Sequence, residues 1–394
     1  MGAIKIAENV HWVGVRDPQL RKFDIIMNTR YGTTYNAYLV RGEKTALIDA
    51  SKADFTGQFL DNVREIIPLS QIDYLVVNHT EPDHSGAITA LLEENPRIDL
   101  LCSGAAIPFV KNVINLERPI RGVKDNEILD LGGKKIRFLL TPYMHWPDTM
   151  MEFLEEDGIL FSCDGFAAHL SDDSLFAEAI EKDVDFEFHY YWDAIMRPFS
   201  NYIRKNLLKL DGLDIKIIAP SHGPVFRENP RQYIERYKDW TADKSAGRNL
   251  VTVFYASSYG NTKLLGKSIG ACLMKEGFEL SYCDAENCEP ESVRAAIEAS
   301  RGVLLGTPTM NGDAVKPIWD IINLFSTVSS VGKKAAVFGS FGWGGEGIKL
   351  VADRLSGLKL KVFEENFRAR LVPSETELNE IAAYCSRLAA FLNS

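Results

Sequence analysis

The chain has 394 residues, a formal net charge of −10 and an ordinary apolar fraction of 46%. That length predicts two or three domains, each able to bury a core without covalent staples. The acidic balance excludes nucleic acid as a main partner, because phosphate binding needs clustered Lys and Arg, and no apolar run is long enough to span a membrane.

The start, MGAIKIAENV, has neither the cationic region nor the apolar stretch of a signal peptide. It also lacks the Ser or Thr at position 6 that favours myristoylation of Gly2. The cysteines, at 102, 163, 272, 283, 288 and 385, form no CxxC pair. Neither a thiol redox pair nor an iron–sulfur or rubredoxin centre is expected, and six reduced, mostly buried thiols suit a cytoplasmic protein.

Along the chain, residues 1–248 read as short strands mixed with a few helices. TTYNAYLVRGEKTALIDAS (33–51) predicts two strands around the charged turn RGEK. DFTGQFLDNVREIIP (54–68) and RQYIERYKDW (231–240) have the spacing of amphipathic helices. Four apolar runs, IDYLVVN, KIRFLLTP, GILFSCD and IKIIAP, read as buried strands. Each leads directly into a segment rich in metal-binding residues: NHTEPDHSG (78–86), YMHWPD (143–148), SCDGF (162–166) and PSHGP (220–224).

These segments offer His79, Glu81, Asp83, His84, His145, Asp164 and His222. Ligands at the ends of neighbouring strands converge, so the pattern predicts one binuclear metal site. His79 and Glu81 lie two apart on an extended segment and share a face. Asp83 and His84 follow in a turn and reach a second ion. The expected grouping is His79, Glu81 and His145 on one ion and Asp83, His84 and His222 on the other, with the two oxygens of Asp164 as the bridge. Cys163 is expected to point away from the site by strand alternation.

TADKSAGRN (241–249) is polar, small and unpatterned, as a linker is. Residues 249–394 then alternate strands with helices in five βα units, which predicts a doubly wound parallel sheet. The first strand runs into ASSYGNT (256–262) at a helix start. Hydroxyls of Ser257, Ser258 and Thr262, close backbone approach at Gly260, and free helix N–H groups at Asn261 and beyond suit a bound phosphate. The loop carries no lysine, so the phosphate is bound and not transferred. Two more loops leave later strand ends: Thr307, Pro308, Thr309, Met310, Asn311, Gly312; and Ser340, Phe341, Gly342, Trp343, Gly344, Gly345. With Tyr259 in the phosphate loop, Trp343 is placed to flank an aromatic ring. Gly342, Gly344 and Gly347 also form a literal GxGxxG, but it follows the fourth strand of this half and not the first, which argues against a dinucleotide.

The SxxGNT loop and its setting resemble flavodoxin over about 145 residues, which implies non-covalent FMN. The first half resembles the metallo-β-lactamase superfamily, an αββα sandwich whose motif is usually HxHxDH and often holds zinc. Here Glu81 replaces the second histidine. More oxygen ligation moves preference from zinc towards iron or manganese. Two divalent ions bring +4 against −3 from Glu81, Asp83 and Asp164, so binding an oxygen species is favoured.

The ordered set NHTEPDHSG, HWPDTM, TTYNAYL, CDGF and SHGP, fused to a flavodoxin-like half, resembles the flavodiiron proteins. That resemblance implies two non-haem iron ions and FMN, and reduction of dioxygen to water, nitric oxide to nitrous oxide, or both. It makes His169 a candidate for proton delivery. Tyr190 and Tyr191 stand where relatives show a tyrosine pair, as proton donors or as core aromatics. It further implies a head-to-tail homodimer or a homotetramer, since a domain of 250 residues has a radius of gyration of about 18 Å and keeps a chain's own flavin far from its metals. Electrons would arrive from rubredoxin or an NADH-linked reductase. The alternative function is a zinc-dependent hydrolase with an accessory flavin domain.

Overall fold

The computed structural model describes residues 2–245 and 247–394. It divides into two compact units, Met1–Ala242 and Asp243–Ser394. No helix among the described residues is long and apolar enough to cross a membrane.

The first unit holds two mixed sheets. One runs in sequence order through β1 (Ile4–Ala7), β2 (Val10–Trp12), β3 (Tyr38–Arg41), β4 (Thr45–Ile48), β5 (Tyr74–Val77), β6 (Asp99–Ser103) and β7 (Ile120–Val123). The other runs through β8 (Ile128–Asp130), β9 (Lys135–Leu140), β10 (Met150–Leu154), β11 (Ile159–Phe161) and β12 (Ile217–Ala219). The pleat sorts their side chains into layers. Tyr38, Val40, Ala46, Ile48 and Val76 meet Ile136, Phe138, Met150 and Phe161 between the sheets. Their alternates Leu39, Leu47, Leu75 and Val77 pack outward against α1 (Thr56–Arg64), α2 (Ile88–Glu94) and α3 (Ile107–Ile114). Leu139, Met151, Phe153 and Leu160 pack outward from the second sheet, against α4 (Val184–Tyr191), α5 (Ser200–Leu207) and α6 (Arg231–Trp240). This is the αββα, metallo-β-lactamase-like sandwich that the sequence predicts.

The second unit is a flavodoxin-like parallel sheet. β13 (Leu250–Tyr255) lies between β14 (Glu279–Asp284) and β15 (Gly302–Gly306), and β16 (Lys334–Phe341) follows β15. The run predicted as one fifth strand forms two short ones, β17 (Lys361–Val362) and β18 (Phe367–Arg370), both paired to β16. Glu364, Glu365 and Asn366 interrupt the apolar run between them, and the chain leaves the ladder there. Val253, Leu304 and Phe338 pack on α7 (Asn261–Lys275) and α11 (Glu375–Asn393). Val303, Leu305 and Val337 pack on α8 (Pro290–Ala299), α9 (Lys316–Ile322) and α10 (Glu346–Gly357).

One cysteine expectation needs correction. Cys283 and Cys288 are joined in a disulfide with Cα atoms 6.3 Å apart, and four thiols remain free. A turn after β14, in which Asn287 N–H donates to the Asp284 carbonyl, brings the pair together. A search for CxxC spacing misses a pair five residues apart.

Candidate metal centre and cofactor cleft

The four metal-binding segments leave β5, β9, β11 and β12, and their side chains meet in one buried pocket. His79 Nε2 lies 3.2 Å and His145 Nε2 2.9 Å from Asp164 Oδ2. His145 Nε2 is also 3.2 Å from Glu81 Oε2. The other Asp164 oxygen, Oδ1, is 3.4 Å from His84 Nε2 and 3.8 Å from His222 Nε2. Asp83 Oδ2 is 3.2 Å from His84 Nε2 and 3.1 Å from His222 Nε2. Asp164 thus turns one oxygen to each half of the cluster.

Several features fit a pair of cations. The Nε2 atoms of His84 and His222 sit 3.1 Å apart and both face Asp83 Oδ2, a convergence that one cation between them would satisfy. Among the described residues, His79 Nε2 and both Asp83 oxygens are buried without a well-aligned hydrogen bond, a cost that a metal bond removes. The donor set of imidazole and carboxylate suits iron or manganese as well as zinc.

The supporting contacts come from distant parts of the chain. His222 Nδ1 donates to the Thr34 carbonyl at 2.6 Å, which leaves Nε2 for the pocket. Ser221 Oγ donates to Asp164 Oδ1. Asp148 Oδ2 accepts from Thr80 N–H and Oγ1 at 3.0 and 2.8 Å and so anchors the turn carrying Glu81 and Asp83. Asn36 Nδ2 donates to the Pro220 and Gly223 carbonyls at 2.7 and 3.0 Å. Gly223 has φ +76°, and a Cβ there would lie 2.3 Å from the Ala168 carbonyl oxygen, so only glycine fits.

Burial would raise the Asp164 carboxyl pKa, but the nearby His79 charge and close contacts with His145, His79 and His84 hold it well below the usual range. For His145, burial lowers the pKa; hydrogen bonds with Asp164 and Glu81 win and lift it to about 10.

His169 is buried beside the cluster, its ring centroid 5.1 Å from that of His222. Its Nδ1 is 2.9 Å from Thr33 Oγ1, and its Nε2 has no partner among the described residues. Burial, then the His222 charge, hold its pKa well down. Tyr191 packs edge-on to His169, with centroids 4.9 Å apart and a buried hydroxyl that has no hydrogen-bond partner among the described residues. Tyr190 faces elsewhere: its hydroxyl accepts the Asn28 N–H at 3.3 Å. Phe23 covers the outer side of His169, with centroids 4.2 Å apart. A cavity of about 230 Å³, walled partly by Phe23, Tyr35 and Lys52, opens onto Glu81 and Asp83. Cys163 is buried, and burial pushes its thiol pKa well up.

In the second unit, loops from the carboxyl ends of β13, β15 and β16 border a cleft of about 500 Å³. Ser257, Ser258, Tyr259, Asn261 and Thr262 line it from the first loop; Pro308, Thr309, Met310 and Asn311 from the second; Ser340, Phe341, Gly342 and Trp343 from the third. Gly260 caps α7 at φ +84° without a side-chain cap. Lys263 N–H donates to Ser257 Oγ, while the first N–H groups of the helix stay available to an anion. Thr262 Oγ1 and Ser340 Oγ, 2.8 Å apart, tie the first loop to the third. Thr309 Oγ1 is buried and has no hydrogen-bond partner among the described residues. Tyr259 and Trp343 are 91% and 88% exposed, which is costly for large rings unless a flat partner covers them. A flavin mononucleotide fits all of these features. Leu371, just after β18, also lines the cleft and escaped the sequence reading; its only signal is its place at the end of the fifth strand position.

Comparison with known proteins follows the same division. Residues 33–223 match the model of the "ODP family beta lactamase" and residues 253–384 that of flavodoxin. The chain is 40% identical to the flavo-diiron protein FprA2 of Clostridium acetobutylicum, over 96% of this chain and 97% of that protein. It is 34% identical to the anaerobic nitric oxide reductase flavorubredoxin of Salmonella paratyphi A, over 90% of this chain and 75% of that one. Among solved structures it superposes on the rubredoxin oxygen:oxidoreductase of Desulfovibrio gigas with TM-score 0.70 and 27% identity, covering 99% of this chain and 98% of that one.

Proposed function

The chain belongs to the flavodiiron protein family, and from that membership we propose that it reduces dioxygen to water, nitric oxide to nitrous oxide, or both, at an iron pair fed by FMN. The observation that carries the reading is Asp164, whose two oxygens face two separate sets of imidazoles. His79, Glu81 and His145 would hold one iron; Asp83, His84 and His222 the other; Asp164 would span both. The FMN would sit with its phosphate on residues 257–262 and its ring against Trp343, between the loops 307–312 and 340–345.

When bound, the iron pair and FMN supply the electrons: four to turn dioxygen into two waters, two to turn two nitric oxides into nitrous oxide and water. The chain's part is geometry, dryness and protons. The cavity by Phe23 and Tyr35 admits a diatomic to the Glu81 and Asp83 side of the pocket. Phe23 and Tyr191 keep bulk water from the His169 side. The Tyr191 hydroxyl keeps its proton, because burial and the charge of Asp164 push its pKa well up, so it acts as a hydrogen-bond donor. His169 is neutral, and its unpaired Nε2 stands ready to pass a proton.

The donor belongs to the same proposal: rubredoxin, named in the Desulfovibrio gigas enzyme, or an NADH-linked reductase, in the cytoplasm. So does a head-to-tail homodimer, or a tetramer of such dimers, in which one copy's FMN serves its partner's iron. Full activity in a monodisperse monomer would refute that assembly. For the reaction itself, reduced protein is mixed anaerobically with each gas in a stopped-flow cell. Flavin reoxidation coupled to loss of at least one gas is expected, and to neither gas in Asp164→Ala. Consumption of neither gas by the unmodified protein would contradict the proposal.

A further inference from the structure

The layer between the two sheets of the first unit is apolar until it reaches the underside of the metal pocket. There β10 turns Met150, Glu152 and Leu154 to one face by alternation, and Met150 and Leu154 belong to the core between the sheets. Glu152 is 0% exposed, and neither carboxyl oxygen has a hydrogen-bond partner among the described residues. The groups acting on it are Asp49, just past β4, whose charge opposes its ionisation, and the Asn78 side-chain amide, just past β5, which favours it more weakly; Cys163, past β11, lies in its field. No cation is among them. Asn78 Oδ1 is also buried and unpaired.

Asp49 is better provided for. Its Oδ1 accepts the Asn78 N–H at 2.8 Å, and His84 and His79 offset its burial. Two ionised carboxylates side by side in a sealed apolar layer cost far more than one. A single proton shared out by environment goes to the carboxyl with the fewest donors, which is Glu152.

We propose that Glu152 is a positioning residue held as a neutral acid beneath the metal pair, its O–H given to the Asn78 side-chain carbonyl so as to fix the strand end that presents His79. One hydrogen bond then satisfies two orphaned groups. Asn78 immediately precedes His79, and its backbone carbonyl already accepts the Met150 N–H at 3.0 Å, so the contact locks β10 to the ligand loop. Burial, then Asp49, push the Glu152 pKa well up, whereas that of Asp49 rises only to about 6. An ionised Glu152 would set a second buried negative charge beside Asp49 and favour the more oxidised metals. The consequence for the metals rests on the proposed iron pair; the neutrality of Glu152 does not.

Infrared spectroscopy of the holoprotein at neutral pH, with Glu152→Gln and Glu152→Leu, separates the outcomes. The unmodified protein should show a protonated-carboxyl stretch that Glu152→Gln lacks. Glu152→Gln, a neutral donor of like shape, should keep the metal content and metal reduction potential. Glu152→Leu should lose roughly 10–100-fold in metal affinity, the usual effect of removing a residue that orients a ligand. Absence of the band, a raised metal potential in Glu152→Gln, or unmodified metal affinity in Glu152→Leu would each overturn the proposal. The first two readouts stand even if Glu152→Leu does not fold. Failure of the unmodified protein to hold two metals would instead count against the iron-pair reading and leave the band to be judged by itself.

Discussion

In the first unit the candidate binding atoms are side-chain nitrogens and oxygens, nearly all buried, carried in from four strand ends. In the second they are backbone N–H groups and hydroxyls on three loops, beside rings left largely open. The first arrangement assembles charge where charge is costly, so it is complete only with its ions. The second offers weak, neutral contacts that sum over a large flat ligand. Loss of one residue should therefore be nearly all-or-none in the metal pocket and graded in the cleft.

The sharpest break in that contrast is Asp164→Ala. It removes the one side chain common to both halves of the cluster and leaves buried imidazoles without their counter-charge. Metal content and gas consumption should fall by more than the roughly 100-fold that loss of a supporting residue costs, with FMN content unchanged. Elemental analysis and flavin absorbance read the two separately. Loss of FMN in step with the metals would erase the distinction.

Next in size is the effect of pH on metal binding. Against the lowering effect of burial, Asp164 and Glu81 keep a proton on His145 up to about pH 10 in the metal-free protein, and a metal must displace it. Affinity should rise with pH throughout the neutral range, by about tenfold per pH unit for each proton displaced. Chelator competition at several pH values measures this. A flat profile would mean that the imidazoles are already neutral. FMN affinity, resting on neutral contacts and a phosphate, should barely follow.

In the cleft, Gly260→Val forces a branched residue into φ +84°. The strain of about 1–2 kcal/mol should weaken FMN by about 5–30-fold in a fluorescence titration without touching the metals. Trp343→Ala should do less. A stacked aromatic contact contributes about 0.5–1.5 kcal/mol, or about 2–10-fold in FMN affinity. An unchanged affinity would show that this exposed ring does not cover the flavin.

The two sites also differed in how far the sequence disclosed them. Charged side chains at the ends of apolar runs are rare enough that His79 to His222 could be grouped by type and spacing alone. The cleft was legible through topology: three loops at successive strand ends of a parallel sheet. What stayed hidden were contacts between residues far apart in the chain. Thr33 with His169, Thr34 with His222, and Asp148 with Thr80 become neighbours only once the two sheets face each other. Glu152 in β10 carries no sequence signal of burial, because alternation does not say which face is buried. The break between β17 and β18 was missed because Phe363 extends the apolar pattern just past β17.

The claim on which all of this depends is a redox-active metal pair and a flavin domain carried by one chain. Protein loaded anaerobically with iron and FMN, then assayed for both and mixed with dioxygen and nitric oxide in turn, tests it most directly. The account predicts two iron ions and one FMN per chain, with at least one gas consumed at the expense of reduced flavin. Zinc alone in the pocket, with ester or thioester cleavage indifferent to flavin removal and no gas consumed, would contradict it and point to a hydrolase.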